Sequence, residues 1–290
     1  MQLKKVLVTG GAGFIGSNLC ERLQQEGCYE VVSLDNYFTG SKANHVLGVE
    51  YIEGSAADVD KLVNFVPDYI YHLGEYSRVE QSFDDIELVW KYNKESTFRL
   101  LQFCRKHKSK LIYAGSSTKF GDGGLGRSQS PYGWSKSANT ELVENFGQWF
   151  GLEYAIVYFY NVYGPSQISK GPMSTVIGIF EEHYKKGKLL PVVKPGTQTR
   201  RFTHIDDTVN ICFLAWKKNL CRHYSIANKK SYSLKDVAKM FKSKIKLLPK
   251  RAGERYASAL SNKNLSNKMY KYFGKINLKD YVGNFIINNS

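Results

Sequence analysis

Residues 5–9 (KVLVT) form an apolar run that passes straight into residues 10–16 (GGAGFIG), and residues 17–23 continue with the apolar spacing of a helix. A buried strand, a glycine turn and a helix start in that order constrain the fold more than any other stretch of the chain. Glycines there permit a tight turn and bring backbone N–H groups to a helix N-terminus, where partial positive charge accumulates and a pyrophosphate can sit. Gly10, Gly13, Phe14, Ile15 and Gly16 are therefore candidate dinucleotide contacts. The second strand-like run ends at Asp35, 19 residues after Gly16. A carboxylate at that strand end accepts both hydroxyls of an adenosine ribose and repels a 2′-phosphate, which favours NAD over NADP. Lys42 is a cation able to reach a 2′-phosphate and works against that preference.

The same alternation continues along the chain. Residues 29–34 are strand-like, 58–66 a short helix, 68–73 (DYIYHL) a strand, 88–107 a helix and 110–114 (KLIYA) a strand. A helix over 132–150 precedes the strand 154–159 (YAIVYF). Strands alternating with helices predict an α/β fold with a doubly wound parallel sheet covered on both faces and a ligand site at the strand ends. Beyond residue 161 the loops lengthen and Gly and Pro punctuate shorter elements, one of them a helix from 206 to about 219. The expected organisation is a dinucleotide-binding domain over 1–160 and a smaller α/β substrate domain over 161–290, with later segments returning to the sheet.

Composition removes several classes of function. No apolar run approaches the roughly 20 residues that span a bilayer, and the N-terminus lacks a signal-peptide core, so a cytoplasmic protein is expected. Cys20, Cys28, Cys104, Cys212 and Cys221 are scattered, without a C-x-x-C pair, and the six histidines lack an H-E-x-x-H spacing. Neither a disulfide framework nor a metal site is indicated. The net charge of +15 favours an acidic partner. Its basic residues are dispersed, with many in the last third, so a phosphorylated small substrate is expected and nucleic acid is not.

Residues 132–136 (YGWSK) place a phenol and an ammonium four residues apart, on one helix face. At about 5 Å and an effective dielectric near 20 their attraction favours the phenolate by on the order of 3 kcal/mol. The charged ring of an oxidised nicotinamide would add to this. Tyr132 can then act as base toward an alcohol and, once hydride has discharged the ring, as acid. Lys136 is its partner.

With these pieces in hand, the chain closely resembles the extended short-chain dehydrogenase/reductase family, specifically the NAD-dependent nucleotide-sugar epimerases and dehydratases. The resemblance rests on residues 9–16, 34–36 (LDN), 71–73 (YHL), 114–117 (AGSS), 132–136, 161–165 (NVYGP) and 201–207 (RFTHIDD), and runs over most of the chain. It implies a Rossmann domain, a C-terminal nucleotide-sugar domain, retained NAD and a homodimer built from two helices per subunit. It also implies Asn36 and Leu73 as further cofactor contacts. Ser116 would bond the sugar hydroxyl that is oxidised, Tyr132 would be the base, and Lys136 would hold the nicotinamide ribose. Ser117 and Asn161 would meet the substrate, and Arg200 and Arg251 match arginines that clamp its diphosphate, since the guanidinium fork suits phosphate oxygens.

Departures from the resemblance sharpen the reading. The 4,6-dehydratases carry Thr-Asp-Glu where this chain has Ser116-Ser117-Thr118, and hydroxyls do not replace a carboxyl pair in expelling water. No Cys stands where the 3,5-epimerising relatives keep one. Glu75 replaces a small residue, Ser55 an Asp near the adenine, and Tyr158 an Arg, while Lys119 stands where a less basic residue is usual. The expected activity is 4-epimerisation of a nucleoside-diphosphate sugar through a 4-keto sugar. Alternatives are a 4-dehydrogenase, 4-ketoreductase or 4,6-dehydratase on the same site, or a non-catalytic NAD-binding regulator.

Overall fold

The runs that alternate apolar residues on two sides become the centre of a single sheet. In the computed structural model, which describes residues 3–217, 222–253 and 269–289, this sheet has eight strands. Across it lie Met269–Phe273, His223–Ala227, Tyr154–Phe159, Lys110–Ser116, Tyr69–His72, Lys4–Thr9, Tyr29–Asp35 and Glu50–Glu53, every neighbouring pair parallel. Successive side chains go to opposite faces: Val6 and Val8 join one apolar cluster and Leu7 the other. Ile112 likewise opposes Leu111 and Tyr113, and Ala155 and Val157 oppose Tyr154, Ile156 and Tyr158. Both faces must therefore be covered. The helices Phe14–Gln25 and Ile205–Lys217 cover the first face, and Ser96–His107 and Pro131–Phe150 the second.

Strand order reverses at Lys4–Thr9, which sits between Tyr29–Asp35 and Tyr69–His72. Neighbouring loops diverge there, and a crevice opens beyond the carboxyl ends of the strands. Two strands from the later part of the chain, His223–Ala227 and Met269–Phe273, extend the sheet at its far edge. A third apolar cluster lies apart from it, built on Tyr163, Phe180, Phe202, Val237, Phe241 and Leu278. It draws on the helices Val176–Lys185, Leu234–Met240 and Leu278–Ile287.

Three details differ from the sequence reading. Glu50–Glu53 (EYIE) is an edge strand with only two apolar residues, too short and too polar for the pattern to register. The helix expected over 58–66 shrinks to Val59–Leu62 after a 3₁₀ turn. The helix expected over 88–107 is Ile86–Val89, a π-helical stretch Trp90–Glu95, and Ser96–His107. The expected helix end near 219 lies outside the described residues.

Candidate active site

A cavity of about 320 Å³ occupies the crevice at the strand ends. Its lining takes in Gly10, Gly13, Phe14, Ile15, Gly16, Asp35, Asn36 and Leu73, and further along Glu75, Arg78, Ser116, Ser117, Tyr132, Lys136 and Asn161. The glycine loop is shaped by close backbone approaches. Gly10 has φ +76°, and a Cβ there would lie 2.8 Å from the Gly74 Cα. At Gly16 a Cβ would come within 2.0 Å of the Gly10 carbonyl oxygen. No side chain caps the Phe14–Gln25 helix at Gly13, so its first N–H groups are left for an anion. Asp35 Oδ2 accepts from the Ala12 N–H at 2.9 Å and Oδ1 from Tyr37 N–H at 2.8 Å. Burial raises the Asp35 carboxyl against the pull of those two N–H groups. Each oxygen keeps a lone pair for a ribose hydroxyl. An open helix start and a strand-end carboxylate at the matching distance in sequence fit an adenine dinucleotide. Ser55 lines an adjoining pocket with Gly54 and Ala56, whereas Lys42 turns to Glu53, 3.7 Å away.

The reactive end is assembled from the next strand exit and the following helix. Ser130 caps that helix by accepting from Gly133 N–H at 3.0 Å, and Pro131 occupies its first position. This brings the Tyr132 hydroxyl, 16 residues from Ser116, to donate to Ser116 Oγ at 3.1 Å. Ser116 Oγ in turn donates to Thr118 Oγ1 at 2.9 Å. Gly115 is needed beside it, because a Cβ there would lie 2.7 Å from the ring of Tyr158. Tyr158 itself is a core residue whose hydroxyl pairs with His223 Nδ1 at 3.2 Å, so it does not face the cavity.

Lys136, one turn further, makes a contact that spacing does not reveal. Its ammonium donates to Glu75 Oε2 and to the Ala114 carbonyl. Both side chains are buried, 7% and 3% exposed. Glu75 Oε1 accepts from Asn139 at 2.9 Å, Tyr113 at 3.0 Å and Thr97 at 3.1 Å. Burial acts to raise the Glu75 carboxyl, but the charge and hydrogen bond of Lys136 and the hydrogen bond from Asn139 hold it below the usual range. His72 ties the group to the first strand, Nδ1 to Thr9 Oγ1 at 2.7 Å and Nε2 to Thr97 Oγ1 at 3.1 Å. Because the Thr97 hydrogen goes to Glu75, Thr97 accepts from His72, which places the imidazole proton on Nε2. Burial draws His72 down to about 4, with Glu75 opposing and Lys136 assisting. The π-helical stretch contributes Asn93, whose side chain accepts from Tyr76 N–H at 2.6 Å and donates to the Tyr76 carbonyl at 3.1 Å. It fixes the backbone beside Glu75, a use of π-geometry that recurs at functional sites.

Not every residue singled out by sequence reaches the cavity. Asn161 does, at φ +35°, donating to the Arg201 carbonyl at 3.1 Å. Arg200 lies on Thr199–Arg200, and Arg251 forms an ion pair with Glu80 at 3.1 Å; neither is in the lining. Lys119 acts on Glu144, whose carboxyl burial raises and Lys119 lowers. Arg78 is the cationic lining residue that sequence reading passed over. It donates from Nε to the Met173 carbonyl at 2.9 Å and from Nη1 to the Ser77 carbonyl at 2.9 Å. It belongs to no motif, and no sequence signal pointed to it.

A parallel sheet with a glycine-loop dinucleotide site and a tyrosine–lysine pair on the next helix defines an NAD-binding oxidoreductase-type fold. The chain belongs to the NAD dependent epimerase/dehydratase family, which matches it over residues 6–227. A putative UDP-glucose 4-epimerase of Methanocaldococcus jannaschii is 31% identical over 230 residues, 74% of this chain and 75% of that one. UDP-glucuronic acid decarboxylase 6 of Arabidopsis thaliana is 30% identical, covering 83% and 74%. Among solved structures, the UDP-glucuronic acid 4-epimerase of Bacillus cereus, in complex with UDP-glucuronic acid and NAD, superposes with a TM-score of 0.82 at 25% identity. That likeness covers 99% of this chain and 100% of the other. NAD is thus the cofactor, and the chain is an enzyme of the nucleotide-sugar epimerase, decarboxylase and dehydratase group.

Proposed function

We propose that the protein is a nucleotide-sugar 4-epimerase working through a transient 4-keto sugar. The observation that carries this reading is the 3.1 Å bond between Tyr132 and Ser116 in the cavity that also holds the glycine loop and Asp35. Tyr132 takes the proton of the sugar 4-hydroxyl while Ser116, relieved of its bond to Tyr132, orients that hydroxyl. NAD, when bound, supplies the acceptor for the hydrogen on C4. Tyr132 later returns the proton to the ketone after the sugar has turned over. Asn161 and Ser117 are proposed to steady the substrate. Arg200 and Arg251 are proposed as diphosphate contacts on the segment over 161–290, with the cofactor held by residues 1–160. Residues 116–118 offer only hydroxyls, and the carboxylates in the cavity lining are Asp35, engaged by backbone, and Glu75, engaged by Lys136. Among the lining residues, then, no free carboxyl pair supports loss of water.

Two further features belong to the same proposal. Trp90 and Trp134 stack at 6.2 Å and are 58% and 47% exposed. With exposed Ile86 and Phe98 they give the two adjacent helical runs an apolar outer face, suited to a homodimer. Cys20, Cys28, Cys104 and Cys212 are free thiols, which suits the reducing cytoplasm. Among the described residues no helix is long and apolar enough to cross a membrane.

The decisive assay incubates the purified protein with UDP-, GDP- and dTDP-sugars without added NAD and follows them by NMR and mass spectrometry. C4 epimers should interconvert at unchanged mass. Tyr132→Phe should lower turnover by about 10²–10⁴-fold while retaining cofactor. A product lighter by two hydrogens, by water or by carbon dioxide would replace epimerisation with net oxidation, dehydration or decarboxylation.

A further inference from the structure

We propose that Glu75 is a positioning residue that sets the redox balance of the site: by neutralising Lys136 inside the cavity, it favours the oxidised nicotinamide over the reduced one. The inference rests on the proposed roles of Tyr132 and Lys136 and deepens them. A tyrosine–lysine pair without a carboxylate would present an unbalanced ammonium to a ring that is itself positive when oxidised. Here that ammonium is matched, within the same cavity wall, by a carboxylate that is 3% exposed. Three donors, Asn139, Tyr113 and Thr97, converge on its other oxygen. A surface carboxylate would be screened, and a lone buried one would take up a proton. This one is held charged and immobile, with Asn93 fixing the backbone of the next residue.

The charge balance has a direct chemical consequence. When the sugar is oxidised, its 4-hydroxyl proton goes to the Tyr132 phenolate, and its C4 hydrogen leaves with both bonding electrons to the nicotinamide ring. A ketone remains and the ring loses its charge. Fixed charges nearby therefore weight the two sides of this step: a cation favours the discharged ring, an anion the charged one. By offsetting Lys136, Glu75 shifts the equilibrium toward sugar alcohol and oxidised cofactor. Hydride then returns to the ketone before the ketone escapes, which is what a redox-neutral epimerisation needs.

Affinities for NAD and NADH, measured separately by calorimetric titration on the full-length chain, test this without reference to any sugar. Glu75→Gln keeps the shape and, through its carbonyl oxygen, an acceptor for Asn139, Tyr113 and Thr97, but removes the charge and the oxygen that Lys136 bonds. It should raise the preference for NADH relative to NAD by roughly tenfold at an effective dielectric near 20. Lys136→Met leaves the carboxylate without its counter-charge: at alkaline pH, where it stays ionised, the ratio should shift in the other direction, and at lower pH, where it takes up a proton, the ratio should return to the wild-type value. The double variant Glu75→Gln/Lys136→Met should restore the wild-type ratio. Should Glu75→Gln fail to fold, Lys136→Met still carries the sign. Equal losses of both affinities, with the ratio constant across the variants, would reduce Glu75 to a packing role and overturn the proposal. Epimerisation is assayed in parallel: a shifted ratio without epimerisation rejects the proposed function alone, and epimerisation with an unshifted ratio rejects this inference alone.

Discussion

His72 ends its strand with an imidazole that is fully buried and bonded on both nitrogens, to Thr9 and Thr97. Its folded value of about 4 lies below the ordinary 6.5. The folded protein therefore binds fewer protons than the unfolded chain between those two values. Its contribution to stability is complete above 6.5 and is lost progressively as pH falls toward 4. Glu75, held below its ordinary 4.5, adds a second loss of the same sign at still lower pH. Thermal melts of the wild type should fall steeply over that first window, while His72→Gln should flatten the fall by on the order of 3 kcal/mol. Identical slopes in the two proteins would mean that His72 is protonated in the fold. Residue-level legibility in the sequence was uneven for a related reason. Tyr132 and Lys136 announce themselves because their pairing is local, four positions on one helix. The partner of Lys136 is 61 positions away. Glu75 stood out as a departure from the family pattern, but no spacing rule joins it to Lys136, and Arg78 carried no signal at all.

Among the elements, those buried on both faces were read most directly. Their continuous apolar runs leave little choice of structure, as residues 5–9, 110–114 and 154–159 illustrate. The edge strand Glu50–Glu53 escaped because one flank needs no apolar cover. The π-helical stretch Trp90–Glu95 escaped because its sequence carries the same periodicity as the helix around it; only the demand of Asn93 for the Tyr76 backbone distinguishes it. The glycine loop was legible because steric necessity is written in residue type. Gly16→Ala tests that necessity. Its methyl group would meet the Gly10 carbonyl carbon at 2.7 Å and Gly11 Cα at 2.8 Å, both backbone atoms of a turn with no room to retreat. Overpacking of this kind costs about 1–3 kcal/mol, and the displaced turn carries the N–H groups proposed to face the pyrophosphate. NAD affinity measured by calorimetry should drop at least tenfold, with a lower melting temperature. An unchanged affinity would take the loop out of the cofactor site.

At the scale of the molecule, the sheet gathers early strands and two late ones, while a separate apolar cluster supports the later helices. The late strands were expected to return, but the sequence does not say at which edge, since the order of parallel strands depends on crossovers rather than on composition. Among the apolar residues that the described chain still exposes are those on the outer face of the helices carrying Trp90, Phe98 and Trp134. Helices on that side bury their inner residues, Leu100, Leu101, Val143 and Phe146, against the sheet, so their aromatic outer residues have no role in the monomer's core. Pairing this face with a second copy would remove the aromatic rings from water on both subunits at once and carry Tyr132, two residues before Trp134, on a helix braced from both sides. A carboxylate placed at the centre of such a contact would be desolvated without a partner, at a cost of several kcal/mol. Light scattering coupled to gel filtration should therefore find the wild type at twice the 33.0 kDa chain mass. Phe98→Glu and Trp134→Glu should each run at the chain mass with their melting transitions intact. A wild-type chain that is already monomeric at micromolar concentration would instead leave this face to some other purpose.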